Sequence, residues 1–153
     1  MEENSNIKLK REFVATVYIV KDKKVLLNFH GKIKKFIPVG GHIEENELPC
    51  EAAIREAKEE SGLDIELINP RLFEQQNMTQ NLDIQLDVIK PDHHHINLSY
   101  LGKIIGGKEL PISDAGTENK WFSKEEIIAS DQIFANTKEK ALKAIEILNQ
   151  INI

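Results

Sequence analysis

Residues 40–63 read GGHIEENELPCEAAIREAKEESGL, in which nine of 24 residues are charged and seven of those nine are glutamate. Like charges at helical spacing repel one another and lower helix stability. A segment this rich in carboxylates therefore predicts a compensating partner, and a bound cation is the simplest one. Pro49 and Gly62 stand where the first turn and the C-terminal end of a helix favour them, so the acidic segment is predicted to be helical between them.

On a helical wheel the carboxylates of this helix are not scattered. The face predicted to pack against a sheet consists of four apolar residues, Cys50, Ala53, Ile54 and Ala57. Glu56, Glu59 and Glu60 fall on an adjacent arc. Three converging carboxylates suit Mg²⁺, which prefers oxygen ligands and neutralises phosphate oxygens. A solvated acidic surface is the alternative, but the preceding glycine pair, which lets backbone atoms approach a ligand closely, favours a metal site.

The whole chain restricts the class of protein. Its 153 residues, 41% hydrophobic and 29% charged, predict one soluble domain spanning residues 1–153. The net charge of −5 disfavours nucleic acid and anionic membranes as partners. A single cysteine, an N-terminal segment without an apolar signal region and the lack of any 18-residue apolar run predict a cytoplasmic protein. Monomer and homodimer both stay open.

Alternating and β-branched segments predict strands on both sides of the acidic helix. They lie at residues 12–20, 25–29, 63–68, 83–89, 95–105 and 119–122. Ser123 and Glu126 form a capping box that predicts a short helix, and a last helix is predicted from about residue 136 to residue 149. This order of elements predicts a single α/β domain.

The spacing of the glycines, glutamates and arginine around the acidic helix is a recognisable motif. From Gly41 to Leu63 the sequence resembles the Nudix box, G-x5-E-x7-R-E-U-x-E-E-x-G-U, with every fixed position met and Ala57 smaller than the usual aliphatic residue. The resemblance implies the Nudix fold, a mixed β-sheet sandwiched between α-helices (α/β/α). It also implies an enzyme, a pyrophosphohydrolase that uses Mg²⁺, or Mn²⁺ as a substitute, to hydrolyse a diphosphate bond in a nucleoside diphosphate derivative.

The same resemblance assigns roles residue by residue. It makes metal ligands of Glu56, Glu59 and Glu60, together with a backbone carbonyl at Gly40 or Gly41. Glu47 would orient Arg55, with metal binding as an additional role. For the general base two candidates stay open, Glu59 and a glutamate of a later loop, Glu118.

Histidines supply the remaining candidate site residues. His93, His94 and His95 are adjacent, and neighbouring side chains of an extended chain alternate, so all three cannot bind one ion. They are predicted to form a loop that enters the next strand, and no Cys/His spacing typical of a zinc site is present. His95, His42 and the backbone of Gly40 are the candidate substrate-binding residues; for His42 a plain surface position is the alternative.

The substrate is narrowed only by elimination. Signals that resemble those of ADP-ribose, dinucleoside polyphosphate, NADH and coenzyme A hydrolases are missing, which favours a small nucleotide such as a (d)NTP or a damaged nucleotide. A nucleotide sugar or another diphosphate is the alternative substrate. A non-catalytic ligand sensor of the same fold is the alternative function, which the intact box disfavours.

Overall fold

A computed structural model describes residues 8–69, 77–113 and 115–151 of the chain. Within these ranges every strand and helix expected from the sequence is present, with bounds shifted by a few residues. The elements are β1 (Lys10–Lys21), β2 (Lys24–His30), β3 (Lys35–His42), α1 (Pro49–Ser61), β4 (Leu63–Leu67), β5 (Asp83–Lys90), β6 (His93–Gly107), β7 (Asn119–Ser123), α2 (Lys124–Ala129) and α3 (Ala135–Ile151).

The described strands form one mixed sheet in the order β4-β6-β1-β3-β2-β7. The central pair β1 and β6 is parallel, while every other pairing is antiparallel. Strand β6 is long enough to pair along its other edge with both β5, over its first half, and β4, over its second half. The sheet therefore places the start of β1, the end of β3 and the start of β6 side by side.

Two apolar clusters cover the two faces of this sheet. Alternate residues of β1 point to opposite faces: Val17 and Ile19 join the cluster under α1, and Tyr18 and Val20 join the cluster under α2 and α3. Burial on both faces explains why the β1 sequence reads as a nearly continuous apolar run. The resulting α/β/α layers are the architecture implied by the resemblance.

Helix α1 lies close to the sheet through small residues, but the packed face predicted on the wheel is partly wrong. Cys50, Ala53 and Ala57 are buried as expected, whereas Ile54 is 42% exposed. The helix is rotated toward β3, so its buried arc also includes Ala52. This rotation brings the acidic arc under the glycine pair of β3.

The three adjacent histidines belong to a strand, so their prediction as a loop was wrong. His93, His94 and His95 are the first residues of β6, where they pair in register with Lys10, Arg11 and Glu12 of β1. Pairing with two neighbouring strands, β1 and β5, extends the strand beyond its apolar core. No helix in the described ranges has the length and apolar character needed to cross a membrane.

Gly62 ends helix α1 in a backbone conformation that other residues rarely adopt. Its φ is 75°, and a Cβ at this position would lie 2.2 Å from the carbonyl oxygen of Lys108. The same glycine accepts a backbone hydrogen bond from the Lys108 amide at 3.2 Å. The turn after α1 thus fits only a residue without a side chain.

We expect Gly62→Ala to lower the free energy of unfolding by about 1–3 kcal/mol, because it combines left-handed backbone strain with a clash against Lys108. Gly31→Ala is the matched control, since a Cβ at Gly31 meets nothing within 4 Å. Urea unfolding of the two variants measures the difference. Equal stabilities would contradict the close packing of the α1 terminus.

Candidate active site

The acidic helix meets the glycine pair at the end of β3. Glu60 Oε2 accepts a hydrogen bond from the Gly40 amide at 3.3 Å. The Glu56 carboxylate lies over Gly41, where a Cβ would come within 2.4 Å of Glu56 Oε1. A side chain at Gly40 would collide with the β1 backbone, at 2.3 Å from the Ala15 carbonyl oxygen. Both glycines are therefore required by the close approach of β1, β3 and α1.

Arg55 holds the carboxylates together. Its Nε and Nη2 donate to the two oxygens of Glu47 at 2.7 and 2.9 Å, a bidentate pair. Its Nη1 donates to Glu56 at 2.9 Å and to Glu59 at 3.2 Å, and Nη2 also donates to the His42 carbonyl at 3.0 Å. One guanidinium thus ties the loop before α1 to two of the three acids on the helix.

The ionisation of this cluster follows from those contacts. The Arg55 hydrogen bonds hold the pKa of Glu47 below its usual range, and Glu47 in turn raises the pKa of Arg55. Burial raises the pKa of Glu60 to about 7, with the Glu56 and Glu59 charges adding to the effect and the Gly40 hydrogen bond opposing it. Glu60 is therefore the acid of this cluster that most lacks a compensating positive charge.

An asparagine network that no sequence pattern predicts fixes the C-terminal end of α1. Asn119 Nδ2 donates to the carbonyls of Glu60 and Leu110, both at 2.8 Å. Asn28, buried in β2, donates to Asn119 Oδ1 at 2.8 Å. Isolated asparagines carry no spacing signal, and only the β2–β7 register brings these two together.

Glu118 is placed differently from the other candidates. It is exposed, and its backbone carbonyl accepts from the Phe29 amide at 2.8 Å. It lies just before β7, whose first residue, Asn119, donates to the Glu60 backbone carbonyl. Its role as a general base stays a prediction.

The candidate substrate residues His42 and His95 do meet. Their rings are 5.1 Å apart in an edge-to-face arrangement on the face of the sheet opposite α1. Burial, with the neighbouring histidines adding to it, lowers the pKa of His95, so its imidazole is neutral at neutral pH. His42 and Glu47 also line a cleft of about 600 Å³, whose apolar walls include Phe13 and Leu98.

Comparison with known proteins identifies the arrangement. The NUDIX domain family matches residues 10–145. A NUDIX-family hydrolase from Clostridium perfringens is 37% identical, over 92% of this chain and 99% of that one, with a TM-score of 0.79. No curated protein matches significantly.

More distant solved structures share the fold. A MutT NUDIX hydrolase from Burkholderia pseudomallei is 18% identical over 90% of this chain and 97% of that one, with a TM-score of 0.65. An ADP-ribose pyrophosphatase from Streptococcus suis is 19% identical over 90% and 91%, with a TM-score of 0.59. Because the family match spans most of the chain and the site has the expected loop–helix geometry, the chain belongs to the NUDIX hydrolase family.

Proposed function

We propose that this enzyme hydrolyses the diphosphate bond of a small nucleotide, such as a (d)NTP or a damaged nucleotide, with Mg²⁺ bound at helix α1. The observation that carries the proposal is the placement of three carboxylates of one helix against a glycine pair, with Arg55 bound to two of them. A solvated acidic surface would not need a glycine at position 41, where a Cβ would meet the Glu56 carboxylate. The enzyme would act as one domain over residues 1–153, because both apolar clusters pack on one sheet.

The residues present fit a hard divalent cation. Nudix hydrolases use divalent metal ions, and Mg²⁺ prefers carboxylate and carbonyl oxygens. The pKa of Glu60 near 7 reflects burial beside two other carboxylates with no cation of its own, a deficit that a bound cation would remove. The Glu56 side chain is 14% exposed and lies against Gly41, within reach of the backbone there. We propose Glu56, Glu59, Glu60 and the Gly41 carbonyl as the ligands, with Mn²⁺ as a substitute.

When bound, such a cation neutralises phosphate oxygens and favours attack of water on phosphorus. The protein residues position the groups around it. Arg55 and Glu47 form the rigid pair that fixes the loop leading from Gly41 to α1. We propose that this pair acts on geometry, since its bidentate hydrogen bonds hold the loop against α1.

We propose Glu59 as the general base. Its side chain is 57% exposed, so it can pass a proton to solvent, and Arg55 holds one of its oxygens at 3.2 Å. Glu118 is the second candidate. Both side chains are exposed, but only Glu59 lies on α1 in contact with Arg55 among the described residues, and this favours Glu59.

Substrate contacts are assigned to the end of β3. We assign the contact beside the metal ligands to the Gly40 backbone, which already binds Glu60. His42 and His95 stay candidate contacts for a part of the substrate that extends past the end of β3, because their rings lie together on the sheet face opposite α1. The apolar cleft lined by His42 and Glu47 can take the organic part of the substrate. A nucleotide sugar or another diphosphate remains the alternative substrate. One structural neighbour is a UDP-X diphosphatase, so a substrate panel needs both classes.

The reaction is tested by phosphate release over a panel of (d)NTPs, damaged nucleotides and nucleotide sugars with Mg²⁺ and with Mn²⁺. On the best substrate, Glu59→Gln and Glu60→Gln should each lower kcat/KM by at least about a hundredfold, the scale of losing one key electrostatic stabiliser. Glu51→Gln removes a charge from the same helix but keeps the oxygen that caps Leu48, and should act like wild type. Near wild-type rates in both site variants would contradict the proposed metal ligands.

We expect Arg55→Ala, Glu47→Gln and the double variant to lose similar amounts of kcat/KM, because each change breaks the same bidentate pair. Urea unfolding should show a shared loss of about 1–3 kcal/mol for the two single variants. Glu44→Gln is the matched control, since its exposed carboxylate lies 3.9 Å from Arg55. Fully additive losses would show that the two residues act separately.

The free energy of unfolding should depend on pH when the protein is kept metal-free in chelator. The pKa of Glu60 is raised from 4.5 to about 7, so stability linked to its protonated form is complete below pH 4.5 and is lost as pH rises to about 7. Glu60→Gln removes this loss. Its free energy of unfolding relative to wild type should increase by on the order of 1–3 kcal/mol between pH 4.5 and 8.

Urea unfolding at four pH values in this range provides the measurement, with Glu51→Gln as the reference curve. A difference between Glu60→Gln and wild type that does not change with pH would show that Glu60 is ionised throughout the range. Burial of the Glu60 carboxylate would then not destabilise its charged form.

A further inference from the structure

A cluster of one carboxylate and two imidazoles lies on the face of the sheet opposite α1. It consists of Glu12, His93 and His95. The parallel register between β1 and β6 creates it, because Glu12 pairs with His95 and His93 projects to the same face two residues earlier. His94 projects to the other face, where its Nδ1 accepts from Arg11 Nε at 3.3 Å.

The ligand atoms of this cluster are already close together. One potential ligand atom from each of the three residues lies within 4.8 Å of the other two. Glu12 Oε1 is 2.6 Å from His93 Nε2, and the His93 and His95 rings are 4.9 Å apart. Atoms around a tetrahedral ion are roughly 3.3 Å apart at metal–ligand distances of ~2.0–2.1 Å. Rotamer-scale movements would convert the present arrangement into a coordination sphere.

A fourth potential ligand, and a third imidazole, is adjacent. His42 Nε2 is 3.4 Å from the other Glu12 oxygen, and the His42 ring packs against that of His95 at 5.1 Å. His42 comes from the end of β3, so the cluster joins three strands. Its side chain is 57% exposed and can turn toward the cluster or away from it.

Hydrogen bonding within the protein does not explain the whole cluster. The Glu12–His93 contact satisfies one oxygen and one nitrogen, but His95 Nε2 is buried and has no hydrogen-bond partner among the described residues. A buried imidazole nitrogen without a partner is costly. A cation held with Glu12 and His93 would give it one.

From this geometry we propose that Glu12, His93 and His95 form a second metal site, which takes a transition-metal ion of the zinc class, with His42 or water completing the sphere. Two imidazoles and one carboxylate are a zinc ligand set that leaves a position open. Imidazole nitrogen favours Zn²⁺, Co²⁺ or Ni²⁺, whereas the oxygen donors of α1 favour Mg²⁺ or Mn²⁺. The two sites therefore differ in the metal they select.

Lys10 is the group that competes with a cation here. Its Nζ lies 3.6 Å from Glu12 Oε1, and its side chain is 69% exposed. An exposed lysine pair of this kind contributes little energy, because the ammonium is well hydrated. Displacing Lys10 into solvent therefore costs little free energy compared with the free energy gained when three residues bind a divalent ion.

The test is titration with Co²⁺, a spectroscopic substitute for Zn²⁺, followed by visible absorption. Low-coordinate nitrogen-containing sites absorb more strongly than octahedral all-oxygen sites, so the two sites are distinguishable. We expect one strongly absorbing Co²⁺ per chain, removable by Zn²⁺ and retained in the Glu59→Gln/Glu60→Gln variant. His93→Ala and Glu12→Gln should each weaken binding at least about tenfold.

His94→Ala is the matched control and should bind Co²⁺ like wild type, since His94 faces the other side of the sheet. The proposal is overturned if no strong absorption develops, if His94→Ala weakens binding as much as His93→Ala, or if the α1 variant abolishes the signal. Those outcomes leave the proposed hydrolysis untouched, since that reaction depends on α1.

A second measurement avoids variants altogether. Histidine ring resonances of the wild-type chain are followed by long-range ¹H–¹⁵N NMR as Zn²⁺ is added in the presence of excess Mg²⁺. His93 and His95 should shift with one-to-one stoichiometry, while His94 and His30 should not. Equal shifts at all histidines would mean non-specific binding and would refute the site.

Discussion

The electrostatic balance of the loop and helix depends on Arg55. A segment of 24 residues with seven glutamates must hold several carboxylates a few ångströms apart before any cation binds. The Arg55 guanidinium donates hydrogen bonds to Glu47, Glu56, Glu59 and the His42 carbonyl. These bonds fix the loop, the helix and the end of β3 relative to one another. Lysine could not replace it, because its point charge lacks the fork needed for the bidentate pair.

Among the described residues Arg55 does not hydrogen-bond to Glu60, so the guanidinium does not compensate the charge of this carboxylate. Within the part of the chain that the structure describes, the Glu60 carboxylate accepts a hydrogen bond from the Gly40 amide alone, while burial and two neighbouring charges raise its pKa to about 7. The structure thus keeps one carboxylate under-neutralised beside the glycine pair. Such local instability is typical of a site arranged for a ligand rather than for maximal stability.

Much of this fold and of the candidate site could be predicted from the sequence, because the signals are local. Pro49 and Gly62 mark the helix to the residue, and the helical spacing of the glutamates places them on one arc. Ile54 was placed wrongly because a wheel of one helix does not show how far that helix is rotated toward β3. The exposed Ile54 and the buried Ala52 record that rotation.

What the sequence could not predict depends on strand register. The Asn28–Asn119 bond joins residues 91 positions apart, and the Glu12–His93 contact spans 81. Neither pair has a spacing that separates it from chance, and the histidine spacing excluded only an ion shared by all three histidines. Only the parallel pairing of β1 with β6 places Glu12 beside two of the three histidines and turns the third away.

The same register explains how one small sheet can present two donor sets without mixing them. Strand alternation sends Gly41 toward the carboxylates of α1 and the next residue, His42, toward the imidazoles on the other face. The carboxylates of α1 and the imidazoles beside Glu12 are therefore separated by the thickness of the sheet, although Gly41 and His42, which lie against them, are adjacent in the chain. Because cation preference follows donor type, that separation allows a hard ion on one face and a zinc-class ion on the other to bind independently. A shift of β3 by one residue would exchange the two faces, so the close glycine contact with β1, which fixes this register, also keeps the two chemistries apart.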